Sequence, residues 1–481
     1  MIMPPPRKPR PKVVVVPEPI DETTRLSIVQ HLPLAQAVLG LFHYVLEPSF
    51  LEDIFQRWRG RAYHKELSFT AVVHLIGAAI THHGSIHQAL QARREQPLPV
   101  SDRAFYGKLA RVPLPLSLSL LDEGTQRLQR LLPATLNHAV PGCFDALQVL
   151  LVDGKKSKNV AKRLAVCRSQ PGRVFGAKLL VCLDARTRLV LAAAAEADGE
   201  RNDNPLVPAL LERLRPHRNL PPLFVCDAQF CDLTQVRRLL GEAALFAFRH
   251  HPKTHFHPDP ERPARTFVDG HGRTLVEEWG FLGSVKDQRR CYVRRVTWKR
   301  DSATHKDLGV VTNLSDGLAY PAEALIDLYL LRWKIETVFQ EVATVFGLQH
   351  LIGSTPEASG FETAMCMLIY NIIQVVKAQL AVQQDLPLDD VSSQNLFRSV
   401  QRSLGALYEL LSPAQIAASI VVPAEPVAMR AWLSQLLQGQ WQAQWRKARN
   451  KNPRRYGPKP KQSGAHTSIQ RLRLRHKERG P

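Results

Sequence analysis

The sequence predicts an α/β fold: a mixed sheet with helices on both faces, preceded by an all-helical region and interrupted by a β-rich insertion. Three observations carry this. Two short apolar runs, Leu150-Leu151-Val152 and Phe224-Val225-Cys226, each end on an Asp and a turn, as buried strands do. Helical patterns at 204–214 and 234–240 follow strand patterns, the order of a sheet covered on both faces. Residues before about 140 read as helix throughout, whereas 250–306 alternate polar and apolar with Gly turns.

Taken in order, residues 1–22 are rich in Pro and basic residues and read as a disordered leader. Residues 23–140 form the helical region. The run from Leu67 is one apolar helix, and Ser101-Asp102 supplies an N-cap for a helix that Pro113 ends. The first part of the core is 141–249. Its first strand precedes Asp153, a hairpin turns at 184–188, Asn204 caps a helix, and a second strand delivers Asp227. The insertion spans 250–306, with Asp269-Gly270 as turn chemistry. Residues 307–385 return to the core, where Pro321 opens a helix that ends near Gly347 and 361–380 is an apolar helix packed behind. A helical region at 386–445 and a basic, flexible tail at 446–481 close the chain.

The chemistry concentrates at three places far apart in the chain. Asp153 and Asp227 each stand at a strand end. Tyr329, Arg332 and Glu336 recur at steps of three and four, which places them on one helix face. Two strand-end aspartates and a helix glutamate could supply carboxylates to a pair of divalent metals, the arrangement for in-line attack at a phosphodiester. Taken singly, each motif reads as a strand ending in a turn or as a helix with a solvated charged face. Their order and context restrict the choice.

In residue and spacing, Tyr329-x-x-Arg332-x-x-x-Glu336 matches the signature of DDE transposases of the insertion-sequence-4 type, and Trp333, Ile335 and Phe339 stand where that family often has Trp, Ile and Phe. The chain resembles that family from roughly Leu67 to Leu380. The resemblance implies an RNase H-like core in which Asp153, Asp227 and Glu336 hold two Mg ions, with Mn as a substitute, while Tyr329 and Arg332 orient the Glu and a phosphate. It implies cut-and-paste transposition: metal-dependent cleavage at transposon ends and strand transfer into target DNA. The partners implied are double-stranded DNA and a second copy in a homodimeric synaptic complex. Three positions depart from the pattern: Ala343 stands where a phosphate-contacting Lys is usual, Gln340 replaces a basic residue, and Gln229 replaces a Gly. The alternative is therefore a catalytically decayed, transposase-derived DNA-binding protein.

The formal charge of +21 on 481 residues favours a polyanionic partner. Candidate DNA contacts are Arg103 and Lys108 in the helical region, and Arg289, Arg290, Arg294, Arg295, Trp298 and Lys299 in the insertion. There, aromatics including Trp279 and Tyr292 interleave with arginines, a mixture suited to stacking on bases beside phosphate contacts. No apolar run approaches the ~18 residues of a membrane span, and a cytoplasmic, nucleoid-associated bacterial protein is expected. The seven cysteines are scattered without any Cys-x-x-Cys pair, which gives no support to a disulfide framework or a zinc site. His250, His251, His255 and His257, interrupted by Pro252, read as a basic loop rather than a metal site.

Overall fold

The computed structural model describes residues 20–448 and 467–478, apart from 61, 63–65, 94–97, 158–164, 169, 171, 173, 285–289, 301–305, 349 and 352. The expected leader and Arg289 therefore fall largely or wholly outside the described residues.

Strands in chain order are β1 (Gln148–Lys156), β2 (Val174–Phe175), β3 (Lys178–Asp184), β4 (Val190–Glu196), β5 (Pro222–Cys226), β6 (Leu245–Arg249), β7 (Phe256–Pro258), β8 (Arg265–Val268), β9 (Thr274–Leu282), β10 (Cys291–Lys299), β11 (Leu308–Thr312) and β12 (Thr467–Ser468). The main sheet is ten-stranded in the order β4-β3-β1-β5-β6-β11-β10-β9-β7, with β8 also on β9. On one side of β1 lies antiparallel β3, which pairs antiparallel with β4 in turn, and on the other side lie β5 and β6, both parallel to β1. That arrangement is the RNase H-like core. The strands between β6 and β11 do not leave the sheet. They extend it, because β11 pairs with both β6 and β10.

The β1 run is apolar on both faces as far as Val152 because helices cover the sheet on both sides, so alternation is lost there. Edge strand β4 is closed by a side chain of the long helix Pro356–Gln383. The Asn371 amide accepts from the Val190 N–H at 2.9 Å and donates to its carbonyl at 2.8 Å, standing in for a further strand. Contrary to expectation, Pro356–Gln383 has the length and apolarity of a membrane span, but 94% of its most apolar window is buried in the protein. Its buried polar residues, Asn371, Gln374 and Lys377, mark it as a core helix.

Two further expectations are corrected. The helix opened by Pro321 is not continuous. Ala322–Leu330 and Trp333–Gln340 are separate, and the π-helical turn Glu341–Val345 follows. Between them the chain tightens into three-residue bonds, Leu331 N–H to Leu328 at 3.1 Å, Arg332 N–H to Tyr329 at 3.0 Å and Lys334 N–H to Leu331 at 2.8 Å. The basic tail is also ordered over 467–478. There β12 pairs in parallel with β2, and Ile469 and Leu472 bury against Cys167 and Val174. Arg471 pairs with Asp198 at 2.9 Å and Glu200 at 2.8 Å. Apolar residues spaced along a basic helix gave it something to bury.

Candidate active site

Asp153 and Asp227 are brought together by strand register. Val152 of β1 lies opposite Cys226 of parallel β5, so the next residue of each strand emerges at the same edge. This is the carboxyl end of parallel strands, where open sheets form crevices. Each carboxylate is anchored locally: Asp153 Oδ1 accepts the Gly154 N–H at 2.8 Å, and Asp227 Oδ1 accepts the Gln229 N–H at 2.9 Å.

Glu336 arrives through Arg332. The guanidinium is 6% exposed and donates to Glu336 Oε1 at 2.7 Å and to Asp153 Oδ2 at 3.3 Å. The tightened turn sets Arg332 at the start of its helix, with Glu336 one turn on. Lys155, two residues after Asp153 and on the same face of β1, donates from Nζ to the Phe339 carbonyl at 3.3 Å and lies over that ring. Strand and helix are thus tied twice. Lys155 was missed by sequence reasoning, and its alternation with Asp153 was the available signal.

Burial pushes the Asp153 carboxyl up to about 6. Arg332 and the Gly154 N–H pull it back, while the charges of Asp227 and Glu336 push it further up. Asp153 thus feels the charges of both Asp227 and Glu336. Tyr329 is buried beside them, and burial pushes its hydroxyl up to about 12, against the pull of Arg332 and Arg249. Burial also opposes the Arg332 charge, but Tyr329, Glu336 and Asp153 outweigh it and hold the guanidinium above its usual value.

The donor set is oxygen only, which suits a hard divalent cation such as magnesium or manganese. Among the described residues, no group of three His, Cys, Asp or Glu side chains stands close enough to hold an ion as arranged. The Arg332 guanidinium bridges Asp153 and Glu336 instead and so competes with a cation for one oxygen of each.

The expected DNA contacts separate into two groups. Arg103 is exposed, and Arg290 is exposed over the Phe281 ring at 4.0 Å. Lys108 turns inward, donating to the Leu67 carbonyl, and burial lowers its pKa. Arg294 is a correction. It is fully buried, paired with Glu277 at 2.6 Å and bonded to the Tyr320 carbonyl at 2.7 Å, so it has no face for DNA. Arg295 pairs with Glu278 directly across β9, and Lys299 pairs with Asp307. Trp298 is half-buried between Arg273 and Arg300. Trp279 is buried, its Nε1 donating to the Ser315 carbonyl, so it is a core residue rather than a stacking platform.

Comparison with known proteins comes to the same region. Residues 146–372 match the model of the transposase DDE domain. A probable transposase for insertion sequence element IS5377 from Geobacillus stearothermophilus is 24% identical over 233 residues, which make up 48% of this chain and 58% of that protein. The chain thus matches under two thirds of the length of this curated relative. A solved structure of the piggyBac transposase synaptic complex with hairpin DNA is 12% identical, covers 84% of this chain and 86% of its own, and superposes with a TM-score of 0.40.

Proposed function

We propose that this chain, which carries a transposase DDE domain over residues 146–372, cuts and joins DNA as an insertion-sequence transposase of the insertion-sequence-4 type. The observation that carries the reading is that one buried arginine holds Asp153 and Glu336 together, while strand register sets Asp227 beside Asp153 at the carboxyl end of β1 and β5. Asp153, Asp227 and Glu336 would hold two magnesium ions, or manganese in their place. Such ions, when bound, supply an activated water and a stabilised leaving oxygen at a phosphodiester.

The residues themselves do the positioning. The N–H groups of Gly154 and Gln229 fix one oxygen of each aspartate, and the other oxygen of Asp153 is the one Arg332 holds and would yield to a cation. Once displaced from Asp153, Arg332 keeps its charge and can meet a phosphate in its place. Tyr329, buried and protonated, holds Arg332 against the helix. The partner is double-stranded DNA, and a homodimer would bring two ends together.

The test is magnesium-dependent nicking of DNA carrying the element's inverted repeats. Cleavage lost in Asp153→Asn, Asp227→Asn and Glu336→Gln, with DNA binding retained, supports the reading. Wild-type-like cleavage by any of the three removes that residue. Specific binding with no cleavage by the unmodified chain would favour a decayed DNA-binding protein, the reading that Ala343 and the bridging guanidinium support.

A further inference from the structure

The two strand-end aspartates are also joined on the opposite side of the sheet. Cross-strand partners share a face: Gly154 lies opposite Leu180 and Lys156 opposite Lys178, whereas Asp153 lies opposite Val181 and projects the other way. Over the Gly154 and Lys178 face sits Asp203, 4% exposed, paired with Lys178, itself 5% exposed. The Asp203 carboxylate also accepts from the Gln229 side-chain amide. It presses so closely on Gly154 that a Cβ there would overlap both of its oxygens. The next residue, Asn204, donates to the Gln229 carbonyl at 3.1 Å and to Asp232 at 2.7 Å. Gln229 is therefore held at its carbonyl and its side chain while its own N–H holds Asp227.

We propose that Asp203 and Gln229 are positioning residues, a clamp behind the sheet that fixes the spacing of the Asp153 and Asp227 carboxylates for cation binding. The inference rests on the function proposed above. A buried ion pair is favourable only when its remaining oxygens find donors. Lys178 alone leaves one Asp203 oxygen in need of a donor, and Gln229 supplies it. The departure at position 229 then has a physical sense: where the related signature carries Gly, this chain carries a side chain that ties the Asp227 turn to β1. Residues that orient metal ligands typically carry about 10–100-fold of metal affinity.

Gln229 is exposed enough to truncate without opening the core, unlike Asp203, whose loss would strand Lys178. In the full chain, Gln229→Ala should weaken Mn binding, read by calorimetry without DNA, by about 10-fold. The Mn concentration for half-maximal nicking should rise equally, while the rate at saturating Mn is retained. Gln229→Glu, which sets a carboxylate against Asp203, should weaken binding further. A purely structural role would lower the melting temperature of Gln229→Ala and leave its Mn affinity alone, and that result overturns the clamp. Wild-type protein that neither binds Mn nor nicks DNA overturns the proposed function instead, and the clamp with it.

Discussion

The carboxylate cleft and the strands from β7 to β10 both hold buried arginines among acids, but the balance differs. In the extension, every buried guanidinium among the described residues meets its charge: Arg294 with Glu277, and Arg273 with Asp269 and Asp327. In the cleft, one buried arginine serves two of three carboxylates, and burial, with a smaller push from Asp227 and Glu336, raises Asp153 to about 6. Neutralised burial is structural, whereas a buried carboxyl raised beside two others marks a candidate functional site. Basic content alone, the sequence-level clue, could not separate the two.

The largest effect that would break this comparison is chemical. Asp153→Asn, Asp227→Asn and Glu336→Gln should each reduce nicking to background, and pairs of them should be no worse than singles, because each removes the same step. Arg332→Ala should impair nicking less, since it positions charge and binds no ion. Rates that multiply across these variants would show independent roles and dissolve the site.

The counterpart in the extension is energetic. Arg294→Ala leaves Glu277, whose side chain is 3% exposed, with only the longer and more exposed Arg265 contact at 3.5 Å and should cost about 3 kcal/mol in denaturant unfolding. DNA affinity at a temperature where the variant is folded should not change. A loss of affinity without a loss of stability would return Arg294 to the DNA-binding surface.

Next in size is a pH effect that differs between the regions. Without divalent ions, folded Asp153 binds protons up to about pH 6, above its unfolded range, so its charge destabilises the fold at higher pH. Asp153→Asn should therefore be more stable than the unmodified chain at pH 8, by about 2 kcal/mol. The gap should close as pH falls through 6 toward 4. Asp269 behaves oppositely. Burial tends to raise it, but the Arg273 N–H and guanidinium hold it below its ordinary value, and the stability it contributes is lost only in strong acid. Thermal melts across pH with and without magnesium check both signs.

The smallest effect concerns the ordered C-terminal helix, whose Arg475 and Lys477 are exposed. If they touch phosphates, replacing both with Ala should flatten the fall of log affinity with log salt by about 1.8, or 0.9 for each phosphate no longer neutralised, on specific and random duplex alike. An unchanged slope would show a helix that only docks on the core.

Much of this molecule was legible in its residues. Short apolar runs ending in Asp, turn residues at 184–188 and the three-four spacing of Tyr329, Arg332 and Glu336 are local signals, written in side-chain period and backbone preference. They sufficed for the α/β class and the candidate carboxylates, while the RNase H-like core came from the family resemblance that the Tyr329, Arg332 and Glu336 spacing carries. Tertiary structure alone decided which charges are neutralised. Arg294 is buried because β9 brings Glu277 to it, Lys155 reaches Phe339 because β1 crosses that helix, and Asp203 meets Gly154 because a loop folds over the sheet. The C-terminal helix found burial only where β2 had already formed an edge. Each of these is a pairing between residues distant in the chain, and the energy of a charge depends on the partner and the burial it meets there, neither of which local sequence encodes.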